Sequence, residues 1–321
     1  MPCAALLACK HSGCLPLRWV ASAEDFFVGS VAVPRTVARK EALMMTPLLD
    51  VRPGLTDKIV LVTGGLGGIG RACIAALLAH GARVAFTYAD RRESAAVAAA
   101  LVATNPTHLS AHALDLRSFA SIQACMADVL ARWSHINILI NNAAVGSATV
   151  TGYADDTYTQ DSAMLTINAD GSLKVCQLFL AAAHDTLHTV PRKIINFSSV
   201  GGGIQNFPGF RLSDGMSKAA VAFMTRQLAS ELTHTLVDVF AICPGATNTP
   251  MFQASTLNGM SADEQHEFTA ALPKGRLIEP VDIANIVLFL ASDYSTPMHG
   301  AVIDASMGLG VRPGLITERG H

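Results

Sequence analysis

The sequence has little charge of either sign and no long apolar segment near its start. Only 15% of its 321 residues are charged, and 23 Lys and Arg stand against 25 Asp and Glu, a net charge of -2 at pH 7. A chain without an excess of positive charge or a charged tail does not attract polyanions, which argues against a nucleic-acid binder.

The longest apolar run near the start, residues 3–9, is far shorter than the roughly 20 residues that span a bilayer. We therefore expect no membrane protein. Half of the residues are hydrophobic, which is enough for a large buried core.

Cysteine is scarce and shows no pairing pattern. The seven cysteines are an odd number; three lie in the first fourteen residues, and the others stand alone in apolar segments at Cys73, Cys125, Cys176 and Cys243. They indicate small buried side chains in a reducing, cytoplasmic compartment and not a disulfide framework. Two histidine pairs, 108 with 112 and 184 with 188, have i,i+4 spacing but lack an acidic or cysteine third ligand, so we expect no metal site.

The first 54 residues have neither helical nor alternating periodicity. They mix proline, serine, glycine and scattered charges, and Met44 and Met45 come shortly before the first predicted strand. We expect residues 1–54 to be a disordered N-terminal extension, with Met45 as an alternative start. A targeting peptide is the other interpretation, because residues 1–23 contain no acid, although the apolar region and cleavage site of a secretory signal are poorly formed.

From Lys58 onward, short β-branched runs alternate with longer helical patterns. The runs are IVLVT (59–63), ARVAFTY (82–88), INILIN (136–141), KIINFS (193–198) and VDVFAIC (237–243). Strands that are apolar on both faces and separated by helices predict a parallel sheet covered on each side. Ile283, Ile286, Val287 and Leu290 follow the i, i+3, i+4, i+7 rule of a helix that starts at Pro280. The fold class is therefore α/β, a single doubly wound sheet of the Rossmann type, with a ligand at the carboxyl ends of its strands.

A glycine-rich turn follows the first predicted strand directly. It reads Thr-Gly-Gly-Leu-Gly-Gly-Ile-Gly over residues 63–70 and runs into an alanine-rich helix. Such a turn lets backbone amides and the positive end of the helix dipole approach a pyrophosphate. Glycines alone also make tight turns, but their place between a buried strand and a helix favours a nucleotide site formed by Gly64, Gly68, Ile69 and Gly70.

The spacing TGxxxGxG resembles the short-chain dehydrogenase/reductase family, and further motifs follow in that family's order. The resemblance covers about residues 55–308 and leaves 309–321 as a C-terminal tail. It implies that Asp115 and Leu116 receive the adenine, that Asn142 and Ala143 belong to the NNAG-like motif after the fourth strand, and that Asn168 holds a water for a proton relay. It also implies that the PGxxxT-like segment contacts the nicotinamide through Pro244, Gly245, Thr247 and Thr249.

The end of the second strand bears on the choice of dinucleotide. An acidic side chain at this place would bind the ribose 2'-hydroxyl of NAD and repel the phosphate of NADP, but the chain has Tyr88. Arg91 and Arg92 follow and could neutralise a 2'-phosphate, although Asp90 lies beside them and Gly67 stands where many NADP-using relatives carry a basic residue. We expect NADP(H) in preference to NAD(H). The alternative is that the two arginines only lie at the solvent-exposed start of a helix and do not bind the cofactor.

The chain departs from the family at one catalytic position. In the family a Tyr four residues before a Lys acts as acid and base, and a Ser orients the carbonyl. This chain keeps Ser199 and Lys218, but Asp214 stands in the tyrosine position. The resemblance implies that Lys218 also binds the cofactor ribose. The only tyrosines are 88, 153, 158 and 294, and none lies in the segment before Lys218, so the motif is DxxxK.

The change from Tyr to Asp alters the acid and base chemistry. A free Asp titrates near 3.9 and a free Tyr near 10. We expect the effect of Lys218 on the pKa of Asp214 to outweigh that of burial, so that Asp214 is a carboxylate at neutral pH. A carboxylate is a poor acid for protonating the alkoxide that forms when a ketone is reduced. Asp is also too short to reach the same substrate atom. Ser199, Ser213 or a water held by Asn168 are the candidates for a replacement donor.

Three functions remain open on the sequence. The first is an oxidoreductase that acts on a carbonyl or alcohol of a small, partly apolar metabolite with non-standard acid and base residues. The second is a catalytically silent dinucleotide-binding subunit that regulates or scaffolds a partner. The third is an isomerase or dehydratase that uses Asp214 as a base. Retention of Asn168, Ser199 and Lys218 together favours an active enzyme.

Substrate binding and association are predicted at two further places. The segment from Asn248 to Ile278 is a mobile lid in relatives, and here its apolar residues alternate with acidic ones. The alternative interpretation is a surface helix that packs its apolar face against the protein and has no role in substrate binding. Phe207, Phe210 and Arg211 could line the same pocket, with Arg211 pairing a substrate carboxylate. Relatives form dimers and tetramers through two long helices, about residues 159–188 and 212–233 here, which implies a homodimer or homotetramer.

Overall fold

The computed structural model describes residues 54–89 and 92–311. Its centre is a seven-stranded sheet in which every pairing is parallel, in the order β3-β2-β1-β4-β5-β6-β7. The strands are β1 (Ile59–Val62), β2 (Arg83–Tyr88), β3 (Leu109–Ala113), β4 (Ile138–Asn141), β5 (Arg192–Phe197), β6 (Val237–Pro244) and β7 (Val302–Ala305). The order reverses between β1 and β4, and this reversal opens a crevice at the carboxyl ends of the strands.

Helices connect the strands and cover the sheet. The α-helices are α1 (Gly68–Ala79), α2 (Arg92–Ala103), α3 (Phe119–Trp133), α4 (Thr157–Leu165), α5 (Ser172–Ala182), α6 (Val200–Gly203), α7 (Leu212–Leu232), α8 (Pro250–Phe252), α9 (Ala262–Ala271) and α10 (Pro280–Ala291). Two π-helical segments, Thr166–Gly171 and Gln253–Leu257, join α4 to α5 and follow α8. Short 3-10 turns lie at Val150–Gly152, His184–Thr186, Pro273–Gly275 and Asp293–Met298.

Two hydrophobic cores lie on opposite faces of the sheet because successive side chains of a strand point in opposite directions. In β1, Leu61 belongs to the core that includes α3, α5 and α7, whereas Val62 belongs to the core that includes α1 and α10. The stripe predicted for α10 is confirmed, with Ile283, Val287 and Leu290 buried. The doubly wound α/β fold is thus the observed one.

The five predicted strands agree with the observed strands to within two residues at each end. The sequence patterns set no bounds for β3 or β7, which are the edge strands. The predicted extension 1–54 and tail 309–321 lie outside the described residues except at Gly54 and 309–311. Within the ranges that the structure describes, no helix is long and apolar enough to cross a membrane.

A buried ion pair lies at the amino end of the sheet, away from the crevice. Lys193 on β5 and Asp238 on β6 are paired in register, and Lys193 Nζ lies 2.6 Å from Asp238 Oδ2. The ammonium also donates to Ser295 Oγ at 3.1 Å and to Thr296 Oγ1 at 3.0 Å. All three protons of the lysine are therefore satisfied inside the fold, which a buried charge requires.

Candidate active site

A cleft of about 1410 Å³ lies at the carboxyl ends of the strands. It brings together almost all of the side chains predicted for the site. Those that line it are Gly64, Gly68, Ile69, Tyr88, Asp115, Leu116, Asn142, Ala143, Ser199, Asp214, Lys218, Pro244, Gly245, Thr247 and Thr249. Gly70 and Asn168 stand behind this lining, and Arg91 lies outside the described residues. Among the described residues no group of three or more His, Cys, Asp and Glu could hold a metal.

The glycine loop is shaped by close contacts that leave no room for side chains. Gly64 has φ +68°, a left-handed conformation that favours glycine. A Cβ on Gly70 would collide with the carbonyl oxygen of Gly64, and one on Gly68 would lie 2.8 Å from Thr249 Cγ2. Gly67 is the N-cap residue of α1 and has no side chain that could accept a hydrogen bond from the amides of the first turn. Those amides therefore remain available to a ligand. These features fit a pyrophosphate.

A small hydrogen-bond network ties the glycine loop to the end of β4. Thr63 Oγ1 accepts bonds from the amides of Asn142 and Ala143, both at 3.0 Å. Asn142 Nδ2 donates in return to the carbonyls of Thr63 and Gly64, both at 3.0 Å. The first function of Asn142 is therefore to hold the loop in place from the neighbouring strand.

The carboxylate of Asp115 is already held by an arginine that the sequence reasoning missed. The Arg117 guanidinium donates to it twice, with Nη2–Oδ2 at 2.7 Å and Nε–Oδ1 at 3.0 Å, and the Arg117 amide donates to Oδ1 at 2.9 Å. The guanidinium also lies 5.0 Å from the ring centre of Tyr153. The hydrogen bond from Arg117 lowers the pKa of Asp115. The i,i+2 spacing of the pair is the signal that could have identified it.

The expectation that Lys218 dominates the titration of Asp214 is wrong. Asp214 lies in the first turn of α7 and is only 9% exposed. Burial raises its pKa, and the opposing effects of Lys218 and then Arg211 are smaller. The physical reason is contact: no hydrogen bond or ion pair among the described residues reaches this carboxylate, so charge attraction acts at a distance and is weaker than desolvation. Asp214 is a buried, unpartnered acid on the wall of the cleft.

Lys218 lies one helical turn after Asp214 and is 8% exposed. Its Nζ donates to the carbonyl of Phe197, at the end of β5, over 3.4 Å. Burial lowers the pKa of Lys218, opposed by the smaller effects of Asp214 and Cys243. Burial thus favours the uncharged form of both Asp214 and Lys218.

The serines near the site have different surroundings. Ser199 lines the cleft, and its Oγ accepts from the amide of Gly201 at 3.2 Å, capping α6. Ser198 Oγ donates to the carbonyl of Lys218 at 2.7 Å and fixes α7 to β5. Ser213 Oγ donates to Asp161 at 2.5 Å on α4 and does not line the cleft. Ser213 is therefore not a replacement proton donor, because its hydroxyl is committed to another carboxylate.

Asn168 lies in the π-helical segment between α4 and α5 and is buried. Its Oδ1 accepts from the amide of Val145 at 2.8 Å, and its Nδ2 donates to the carbonyl of Val145 at 2.9 Å and to Ser217 Oγ at 3.1 Å. Ser217 Oγ donates in turn to the carbonyl of Asp214 at 2.8 Å. The side chain thus joins the loop after β4 to α7 and positions both walls of the cleft.

The predicted lid contributes a mixed apolar and acidic wall. Its residues that face the cleft are Thr249, Pro250, Met251, Phe252, Ser255, Thr256, Met260, Glu264, Glu267, Phe268, Ala271 and Leu272. Phe207, Phe210 and Arg211 also line the cleft, as expected. Arg211, however, is paired with Asp161, with Nη2–Oδ1 at 2.7 Å, so its charge is already compensated.

A parallel sheet with a glycine loop after β1, together with a Ser, an acid and a Lys on one cleft wall, defines a dinucleotide-dependent oxidoreductase scaffold. Residues 64–310 match the family model described as enoyl-(acyl carrier protein) reductase. The chain belongs to the short-chain dehydrogenase/reductase family and has its NAD(P)-binding fold.

Curated relatives and solved structures support this assignment. The chain is 34% identical over 266 residues to the 3-beta-hydroxysteroid dehydrogenase of Comamonas testosteroni, covering 80% of this chain and 98% of the relative. It is 30% identical over 260 residues to the oxidoreductase UcpA of Salmonella typhimurium, covering 79% and 96%. Levodione reductase has a similar structure, with a TM-score of 0.71, 27% identity and coverage of 80% and 99%. A variant of actinorhodin polyketide ketoreductase with NADPH has a TM-score of 0.70 at 26% identity, covering 80% of this chain and 98% of that one.

Proposed function

We propose that this protein is a hydride-transfer oxidoreductase that favours NADP(H) over NAD(H) and uses Asp214 in place of the family tyrosine. The substrate class is a polarised double bond or the corresponding reduced group, such as a carbonyl or alcohol, on a small, partly apolar metabolite. One observation carries the proposal: the glycine loop, Ser199, Asp214 and Lys218 all line a single cleft.

The dinucleotide would lie along the glycine loop. Gly64, Gly68 and Ile69 would face its pyrophosphate, and Thr247 and Thr249 its nicotinamide end. When bound, it supplies or accepts a hydride. Tyr88 lies at the end of β2 where an acid would repel a 2'-phosphate, which supports NADP(H), and we propose that Arg91 binds that phosphate.

The substrate end of the cleft lies between the lid and α7. Phe207 and Phe210 from the loop before α7 and Met251 and Phe252 from the lid give it an apolar lining. Such a lining suits a small, partly apolar substrate. Asp214 would exchange a proton with it, because burial moves the pKa of this acid toward the range in which it can both donate and accept.

We also propose that two or four copies associate in the cytoplasm through α4 and α7. Leu212, Met216 and Phe223 are exposed on α7 at a spacing of four and seven residues, and Tyr158 on α4 is 86% exposed. Large apolar side chains repeated on one helix face are typical of a surface that is covered by a partner.

Titration of the purified protein with NADPH and NADH tests the proposal. We expect NADPH to bind more tightly, and substitution of Arg91 by Ala to weaken NADPH alone, by about tenfold if one charge-assisted bond is lost. The chain should then oxidise NADPH in the presence of a suitable substrate. A folded protein that binds neither nucleotide would refute the proposed function, whereas tighter NADH binding would refute only the cofactor preference.

A further inference from the structure

We propose that the substrate class favoured by this cleft is the protonated carbon–nitrogen double bond, an iminium ion, and that Asp214 holds its nitrogen. This inference rests on the proposed function, since it uses the same cleft and the same hydride. It refines the carbonyl class that the family resemblance implies. The observation behind it is the unpartnered carboxylate of Asp214, 9% exposed, on the wall of the cleft.

The proton balance of the two reductions differs. A ketone that accepts a hydride becomes an alkoxide, which needs a proton from the enzyme, and Asp214 can supply that proton only from its protonated form. An iminium ion accepts the hydride at carbon while the C=N π pair moves to nitrogen. Its product is a neutral amine, and no proton has to be supplied. The reduced nicotinamide loses two electrons, and the iminium carbon and nitrogen gain them.

A substrate that arrives as a neutral imine is accommodated by the same side chain. Protonated Asp214 would donate its proton to the imine nitrogen and leave a carboxylate beside the new cation. The carboxylate and the protonated nitrogen would then form an ion pair. Without a ligand, the carboxylate has no hydrogen bond from the protein residues that the structure describes. A largely buried carboxylate without a protein partner is stabilised by a cationic ligand that pairs with it.

Among the charged groups that face Asp214, acids outnumber uncompensated cations. On its own helix Lys218 is the nearest cation, and burial favours the neutral form of that lysine by lowering its pKa. Arg211 lies before the helix and is paired with Asp161 of α4 at 2.7 Å. From the lid, Glu264 and Glu267 line the cleft. The sum favours a cation over an anion in this part of the site.

Aromatic rings complete the surroundings of a cation. Phe207 and Phe210 line the same cleft as Asp214, and Phe252 and Phe268 line it from the lid, with the ring centres of Phe252 and Phe268 6.2 Å apart. Aromatic faces attract cations that have left water, and nitrogen cations most often. Carboxylates interleaved with phenyl rings are a poor match for an anionic substrate and a good one for an apolar amine or imine.

Matched probes separate nitrogen from oxygen at constant size. For turnover, 3,4-dihydroisoquinoline is compared with 1-tetralone, each with NADPH and with NADH, at a pH at which the imine is protonated. For binding without turnover, calorimetry compares 1,2,3,4-tetrahydroisoquinoline, a cation, with isochroman, its uncharged oxygen analogue. Wild type, Asp214→Asn and the control Asp185→Asn are tested; Asp185 is 98% exposed and does not line the cleft.

We expect the wild type and Asp185→Asn to bind the amine at least about tenfold more tightly than the ether, the factor given by one hydrogen bond to a charged group. Asp214→Asn should abolish this preference, and the imine should be reduced faster than the ketone. Equal binding of amine and ether, a preference that survives Asp214→Asn, or faster reduction of the ketone would each overturn the inference. The proposed function is judged separately, by nucleotide binding and by hydride transfer to any of the substrates, so the two can fail independently.

Discussion

Asp214 and Lys218 stand one turn apart on α7 and line the same cleft, and burial shifts their pKa values in opposite directions, upward for the acid and downward for the base. Each shift favours the uncharged form. The pair is therefore not a fixed ion pair but two groups whose charges respond to whatever enters the cleft. This behaviour is typical of residues that handle protons or bind a charged ligand.

The raised pKa of Asp214 predicts that the residue costs stability at neutral pH. The folded state binds the proton more tightly than the unfolded state, so the cost is absent below the unfolded pKa near 3.9 and grows as the pH rises toward the folded value. Asp214→Asn should therefore melt at a higher temperature than the wild type at pH 7, and the two melting curves should converge toward pH 4. Asp185→Asn serves as the control. A wild type that is the more stable protein at pH 7 would contradict the desolvation argument.

Gly68 is predicted to be required because of Thr249. Its Cβ would lie 2.8 Å from Thr249 Cγ2, closer than two carbon atoms pack. Gly68→Ala should weaken nucleotide binding, measured by calorimetry, by displacing Thr249 from the cleft wall. Thr249→Ser removes Cγ2, so the double variant should recover much of the lost affinity. If it recovers none, the added methyl group blocks the nucleotide itself.

Asn168 is predicted to hold the loop after β4 and α7 in the positions that form the two walls of the cleft. Replacement by Ala leaves the buried amide of Val145 without its acceptor, at a cost of about 1–3 kcal/mol in the free energy of unfolding. We expect Asn168→Ala to lower turnover, since the loop after β4 loses its connection to α7. Ser217→Ala removes the two hydrogen bonds of the Ser217 hydroxyl but keeps both bonds between Asn168 and Val145, so it should have a smaller effect on both quantities. Equal stability of Asn168→Ala and the wild type in urea would contradict this role.

Association through α7 is tested by charge substitution. Met216 and Phe223 are exposed and lie seven residues apart on one face of the helix. Met216→Glu together with Phe223→Glu should shift the protein to a monomer in light scattering, because both carboxylates would have to be buried at the interface. A wild type that is already monomeric at micromolar concentration would refute the association.

The sequence predicted the features that depend on regular patterns. Apolar β-branched runs marked the five central strands, and the glycine spacing marked the loop after β1. The edge strands were harder to bound because β3 is only partly buried and β7 is partly exposed. The Lys193–Asp238 pair was not anticipated, since its partners are brought together by strand register across 45 residues of sequence.

The candidate site was less predictable than the fold for a physical reason. A sequence motif gives the identity of side chains but not their contacts. Ser213 and Arg211 are both candidates from the sequence, yet in the structure both bind Asp161, and the Asp115-Leu116 motif does not include Arg117, which holds Asp115. The direction of the Asp214 pKa likewise depends on whether Lys218 touches the carboxylate.

The most direct test of the account is the single-turnover rate of NADPH oxidation by Asp214→Asn at saturating nucleotide, with the ketone that the wild type reduces fastest, since its alkoxide product needs a proton. The account predicts a rate at least about 100-fold below that of the wild type, the usual contribution of a proton-transferring group. The affinity for NADPH should stay within a few-fold, because Asp214 acts on the substrate and not on the dinucleotide. A wild-type rate in Asp214→Asn would contradict the proton-transfer role given to this residue.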